Sequence, residues 1–245
     1  MERASKSLIS NLKKQKRDKS LLFLDNVKII KDAIKNSSIK VECVLTSLDE
    51  LPFATDAKTY RVDEKTIEML ADTKTPQKVL CIAYYNQHVV VVPKSNFLVL
   101  DSLQDPGNVG TLIRTAKACG MESVFLVDSV SLTNSKLIRS SVGAVFNENV
   151  YSVSKSEFIQ MVKENKLQLV KCDMNGENIF KYKPNGVVGV VIGNEGQGVS
   201  DEIASLCQTS ISIPMKEGIE SLNAGVSGSI TVSYTHLTLP TILRV

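Results

Sequence analysis

The chain has 245 residues, 43% of them hydrophobic, with a mean hydropathy of +0.02, so it can bury a core as two small domains or one large one. No apolar run approaches the ~18 residues that span a bilayer, and the basic N-terminus lacks the apolar centre of a signal peptide, so a cytoplasmic protein without membrane association is expected. The net charge of +3 is uneven, because residues 1–40 carry 11 basic and 4 acidic side chains and the remainder sums to −4; contact with a polyanion, nucleic acid first, and a solvated amphipathic helix are both open.

The five cysteines (Cys43, Cys81, Cys119, Cys172 and Cys207) are scattered without a C-x-x-C pair, and His88 and His236 have no ligand-like neighbours. This argues against a disulfide framework, a metal site and a histidine triad. In chain order, residues 1–20 read as a basic helix or arm, with Lys13, Lys14, Lys16 and Arg17 following sparse apolar positions. A short apolar run, LLFL, precedes a helix over 27–34, a strand over 41–45 and a helical stretch over 63–70. Strands are expected at 79–85 and 89–92, with Asn86 and Gln87 in a turn between them, and 93–96 is a polar joint. The second half alternates more regularly. A strand at 97–100 leads through DSLQDPGNVG into a helix that Gly120 ends. There follow a strand at 123–127, a helix at 135–141, a strand around Val150, a helix at 154–164 opened by a Ser154–Glu157 capping box, and a strand at 167–172. Repeated strand and helix predict a parallel sheet covered on both faces, hence an α/β protein of two domains, 1–94 and 95–232. Residues 233–245, threonine-rich and containing Pro240, form an atypical tail.

Residues 190–223 are the stretch that carries most chemistry. A buried strand opens into GNEGQG, a short helix and a second strand follow, and a second loop enters a helix near Ser221. The glycine spacing is neither the dinucleotide fingerprint nor a P-loop. Two strand exits some twenty residues apart are expected to put their loops side by side at the carboxyl edge, where open α/β sheets bind ligands. Asn108 and Arg114, near the start of their helix, reach the same edge, and an arginine there can hold a phosphate through its planar fork. Glu195 is a carboxylate inside the glycine loop, Ser221 is a good helix cap, and Asn223 inside a first turn gives up helix propensity for a polar contact.

The segments DPGNVGTLIRTAKACG, IGNEGQGVS and ISIPMKEGIESLN resemble, in order and spacing, the three motifs of the SpoU/TrmH class of the SPOUT superfamily. Members are RNA ribose 2′-O-methyltransferases that use S-adenosylmethionine. The front segments KKQKRDKSLLFLDNVKIIKDAI and DTKTPQKVL resemble the ribosomal-protein-like RNA-binding domain of that family, with Asp25 and Asn26 where an acidic residue and glycine are usual. The resemblance implies Asn108, Arg114, Glu195 and Asn223 as the catalytic set. It implies Ile192, Gly193, Gly196, Ile213, Met215, Ser221 and Leu222 around the methyl donor, and Lys13, Lys14, Lys16 and Arg17 against RNA. It also implies a homodimer, a trefoil-knotted methyltransferase domain, no metal, and ribosomal RNA as the favoured substrate. Transfer RNA methylation and non-catalytic RNA binding in ribosome assembly are the alternatives. An ordinary nucleotide-dependent oxidoreductase is set aside because G-x-G-x-x-G is absent after the first strand of the second domain.

Overall fold

The computed structural model describes residues 1–17, 21–147, 149–216, 218 and 221–237. The side chain of Arg17 and residues 238–245 of the expected tail lie outside the described residues. The chain forms two units, Met1–Gln87 and His88–Val245.

The first unit contains β1 (Glu2–Arg3), α1 (Lys6–Arg17), β2 (Leu22–Leu24), α2 (Val27–Ile34), β3 (Ile39–Thr46), β4 (Thr59–Arg61), α3 (Glu64–Leu70) and β5 (Val79–Tyr85). The strands make a mixed sheet in the order β1-β4-β3-β5-β2, with β5 antiparallel to both β2 and β3. Leu12, Phe23, Leu45, Ile67, Leu70 and Ile82 are among its buried residues. Asn26 caps α2 by accepting the Lys28 and Ile29 amides, and the buried Asp25 carboxylate accepts both the amide and the hydroxyl of Thr73. The two front segments singled out in the sequence are thereby tied to each other. Lys16 joins the same junction: its ammonium donates to the Leu70 and Ala71 carbonyls at 2.6 and 2.8 Å, at the end of α3, and lies 2.9 Å from Asp72. A cation suits the carbonyl end of a helix.

The expected strand at 89–92 does not form. Residues 86–92 have no strand pairing, and Val89 and Val91 are 86% and 56% exposed. Local β-propensity was outweighed because no neighbouring strand offers those backbone groups a partner.

The second unit contains β6 (Phe97–Asp101), α4 (Pro106–Ala118), β7 (Val124–Val127), α5 (Ser135–Ser140), a 3₁₀ turn (Ala144–Phe146), β8 (Val150–Val153), α6 (Lys155–Asn165), β9 (Gln168–Asn178), β10 (Val188–Ile192), α7 (Asp201–Ala204), β11 (Thr209–Ser212) and α8 (Ala224–Leu237). Its sheet, β11-β9-β10-β6-β7-β8, is parallel throughout. Alternation along the strands sends Phe97, Val99, Phe125, Tyr151 and Val191 to one face, against Phe158 and Val162 of α6 and Ile203 of α7. Phe125 is the centre of that layer, with the Phe97, Tyr151 and Phe158 rings 5.8, 5.3 and 5.7 Å from it. On the opposite face α4 packs against α5 and α8, and α8 against β10.

The order of strands reverses between β6 and β10, which lie side by side although 92 residues separate the paired Val99 and Val191. Their carboxyl ends form the switch point where such sheets open a crevice. β10 and β11 are not neighbours, since β9 runs between them. Their loops meet only because the chain after β11 returns to α8, on the far side of β9, against α4 and β10.

Candidate functional site

At the switch point β6 ends in Asp101, which is fully buried, and Ser102, whose φ of +60° is left-handed. Non-glycine residues there are uncommon and strained, and persist where surrounding bonds hold them. Here the Asp101 carboxylate accepts the Ser200 amide at 2.7 Å and the Ser102 hydroxyl at 3.1 Å. The Ser102 carbonyl in turn accepts the Asn194 side-chain amide at 3.0 Å. One aspartate and one asparagine thus fasten the loop after β10 to the end of β6.

The glycine loop is a tight closed turn. Asn194 and Gly198 exchange backbone hydrogen bonds at 2.9 Å, while the Asn194 side-chain oxygen accepts the Gly196 and Gln197 amides. Gly193 is required by proximity: a Cβ there would lie 2.2 Å from the Gly198 carbonyl carbon and 2.3 Å from the Val199 nitrogen, both backbone atoms that cannot swing aside. The turn presents Glu195 outward at its tip.

Asp105 caps α4 by accepting the Asn108 amide at 2.9 Å, and Pro106 occupies the first turn. Asn108 in its first turn donates its side-chain amide to Glu195 Oε1 at 2.7 Å. A third group enters from α8. The cap of that helix is Asn223, not Ser221: the Asn223 side-chain oxygen accepts the Gly225 and Val226 amides at 3.0 and 3.3 Å. A Cβ on Gly225 would sit 3.0 Å from Asn108 Oδ1 and 3.1 Å from Asn223 Oδ1, so these two amides flank one glycine. Asn108, Glu195 and Asn223 are brought together from three separate segments: the first turn of α4, the glycine turn and the cap of α8.

Arg114 is not drawn into that cluster. Six residues beyond Asn108 it is turned by roughly 120° around α4, it is exposed, and its guanidinium has no hydrogen-bond or carboxylate partner among the described residues. A cation with five unsatisfied donors beside a polar cluster is suited to an incoming phosphate.

Beside α8 lies a cavity of about 120 Å³. Of the residues expected around a donor, Ile213, Met215, Ser221 and Leu222 line it, whereas Ile192, Gly193 and Gly196 do not. Ile192 is buried behind α8, 3.2 Å from where a Cβ on Gly228 would be, and the two glycines belong to the neighbouring turn. The sequence reading missed Cys172, Asp173 and Met174 of β9 and Ser227 and Thr231 of α8, which complete the wall. The signal available for the β9 residues was their place at and just past the end of the expected strand at 167–172; for those of α8, nothing local distinguished them. The Cys172 thiol donates to the Thr231 hydroxyl at 3.5 Å, and burial pushes its pKa up to about 12, leaving it an inert thiol. A second hollow, about 270 Å³, lies at the amino ends of β7 and β8, where Lys117 donates to Asn147. Though larger, it sits at the opposite edge from every motif loop.

Among the basic residues of α1, Lys13 and Lys14 are exposed while Lys16 is held at the end of α3, as described above. Among the described residues no group of His, Cys, Asp and Glu could hold a metal ion, and no helix is long and apolar enough to cross a membrane.

Residues 95–233 match the family model described as the SpoU rRNA Methylase family. The chain is 25% identical over 224 residues to the 23S rRNA (guanosine(2553)-2'-O)-methyltransferase RlmP of Bacillus subtilis, covering 90% of each. Two solved structures share its fold with a TM-score of 0.83. One is the AdoMet-bound rRNA methyltransferase of Sinorhizobium meliloti, at 21% identity, covering 98% of this chain and 99% of that one. The other is the SpoU methyltransferase AviRb of Streptomyces viridochromogenes in complex with AdoMet, at 20% identity, covering 95% and 98%.

Proposed function

The chain belongs to the SpoU rRNA Methylase family, and on that premise we propose that it transfers a methyl group from S-adenosylmethionine to a ribose 2′-hydroxyl of ribosomal RNA. The observation that carries this reading is the meeting of Asn108, Glu195 and Asn223 next to a cavity whose walls are mostly apolar. The residues present suit that donor: Ile211, Ile213 and Leu222 provide apolar surface for an adenine ring. When bound, S-adenosylmethionine would supply an electrophilic methyl on a sulfonium, open to in-line attack by the ribose oxygen with S-adenosylhomocysteine as the leaving group. The protein's part is alignment, for which well-oriented reactions gain roughly 7–11 kcal/mol.

Each polar residue has a distinct task in this reading. Glu195 accepts from Asn108 and so fixes the direction of its amide oxygen towards Gly225. Asn223 holds the start of α8 and with it the cavity wall that Ser227 and Thr231 contribute. Arg114 anchors the phosphate beside the target ribose and stabilises the developing alkoxide. A guanidinium carries only donors and no acceptor for a proton, so anchoring suits it better than general-base work. Lys13 and Lys14 on the exposed face of α1 bring further phosphates to the protein, and the cytoplasm, where RNA is folded and modified, is its place of work. A homodimer also belongs to the reading. Val226 and Ile230, one turn apart on α8, are 50% and 38% exposed, an apolar stripe that a second copy would cover.

Incubating unmodified total RNA with labelled methyl donor and mapping the ribose-methylated nucleotides tests the proposal. Incorporation into ribosomal RNA is expected. Label in transfer RNA alone would move the substrate to that class, and none in any RNA would leave an RNA-binding protein. Within the same assay Arg114→Lys keeps the charge and loses the fork, so single-turnover methylation should fall at least tenfold; a near-normal rate would remove the fork from the mechanism.

A further inference from the structure

We propose, resting on the donor-binding reading above, that Asp173 binds the ribose hydroxyls of the methyl donor's adenosine. The cavity beside α8 is otherwise neutral among the described residues that line it. Three of its four hydroxyl groups already direct their protons into the backbone: Ser212 donates to the Gly176 carbonyl at 2.7 Å, Ser227 to that of Asn223 at 3.2 Å and Thr231 to that of Ser227 at 2.9 Å. Asp173 differs in carrying a full charge and in being held from behind. One carboxylate oxygen accepts the Asn175 amide at 3.0 Å, and the other accepts the Lys171 ammonium at 3.0 Å. The Asn175 amide first, then Lys171, hold the carboxyl below the usual carboxylate range, so it is ionised at neutral pH. Each oxygen retains acceptor capacity after these bonds, because a carboxylate offers about four lone-pair sites.

The choice among the donor's polar groups follows from Lys171. A lone carboxylate would attract the sulfonium or the α-ammonium through its charge. Paired at 3.0 Å with an ammonium, Asp173 has little net field a few ångströms away, so it distinguishes poorly between charged and neutral ligands. What the pair does present is two adjacent, oriented acceptors in a partly buried wall. A vicinal diol supplies two hydroxyl donors side by side, and a charged acceptor makes such bonds stronger than neutral ones.

Calorimetric titration of the full chain with S-adenosylhomocysteine and with its 2′,3′-dideoxy analogue decides the matter. The unaltered protein is expected to bind the analogue about tenfold or more weakly than S-adenosylhomocysteine, the loss typical of bonds to a charged acceptor. Asp173→Ala should lose about the same factor for S-adenosylhomocysteine and bind both ligands alike, with Asp173→Asn, which keeps one acceptor oxygen, lying between and guarding against a folding defect in the alanine variant. Unaltered affinity in both variants, or an analogue penalty that persists in them, would overturn the assignment. So would weaker binding of S-adenosylmethionine with S-adenosylhomocysteine unaffected, since that signature belongs to charge recognition. If the unaltered protein bound neither S-adenosylmethionine nor S-adenosylhomocysteine, the donor-binding reading itself would fall, an outcome separate from any behaviour of the variants.

Discussion

Single side chains hold the site by making bonds that the backbone leaves unmade. Asp105 satisfies the Asn108 amide, one of the donors that a helix start leaves open, and lies 3.4 Å from the Lys136 ammonium. The Asn108 amide first, and Lys136 to a lesser degree, lower its carboxyl pKa. A lowered folded-state value means the stabilisation is present above the unfolded carboxylate pKa of ~3.9 and disappears as pH falls through the lower folded value. Asp105→Ala should therefore cost about 1 kcal/mol at pH 7 and much less in acid below that window, as read from urea midpoints at the two pH values. Asp101 and Asn194 act comparably, but between loops: they connect the ends of β6 and β10 through Ser200 and Ser102. Glu195 was recognisable in the sequence as a carboxylate in a glycine turn. Its partner Asn108, 87 residues away, was placed at the same sheet edge by the order of elements, but the bond between the two was not legible there.

At the scale of elements, α8 is the piece whose sequence looked weakest and whose position matters most. Gly225 and Gly228 lower its helix propensity by up to ~1 kcal/mol each relative to alanine. The structure supplies the compensation, since a Cβ on Gly228 would lie 2.5 Å from Leu112 Cδ2 and 3.2 Å from Ile192 Cγ1. Leu112 is fully buried and has little room to move. For Gly228→Ala we therefore expect overpacking, typically 1–3 kcal/mol, to outweigh the propensity gain, lowering the thermal midpoint and the affinity for S-adenosylhomocysteine together. A rise in the midpoint would show that the helix has room to shift. The expected strand at 89–92 failed for the converse reason. Four valines satisfy any local rule for a strand, but strands exist only as pairs, and pairing is decided by distant residues.

For the molecule as a whole, two units with separate cores divide the work proposed here. The excess positive charge lies in residues 1–40, and the polar cluster and the cavity lie in the second unit. The exposed stripe on α8 puts the proposed dimer interface on the helix that also walls the cavity. Ile230→Glu should accordingly yield a monomer by light scattering, with circular dichroism retained and methyl transfer strongly reduced. A dimer surviving that charge would place the interface elsewhere.

Much of this protein was determined locally and was legible in its sequence. Helical spacing over 27–34, the Ser154–Glu157 capping box, the regular strands from residue 97 onward and the chemistry of the glycine turn all depend on neighbours a few positions away. Parallel pairing followed from the alternation of elements, because a parallel connection needs a crossover. Strand order did not follow. That β9 separates β11 from β10, that the return of α8 nevertheless joins their loops, and that Asp173 and Thr231 share a wall are results of packing across tens of residues. Such contacts leave no periodic trace in the chain, since burial on a common face constrains residue type without naming the partner, and only the folded arrangement makes that choice.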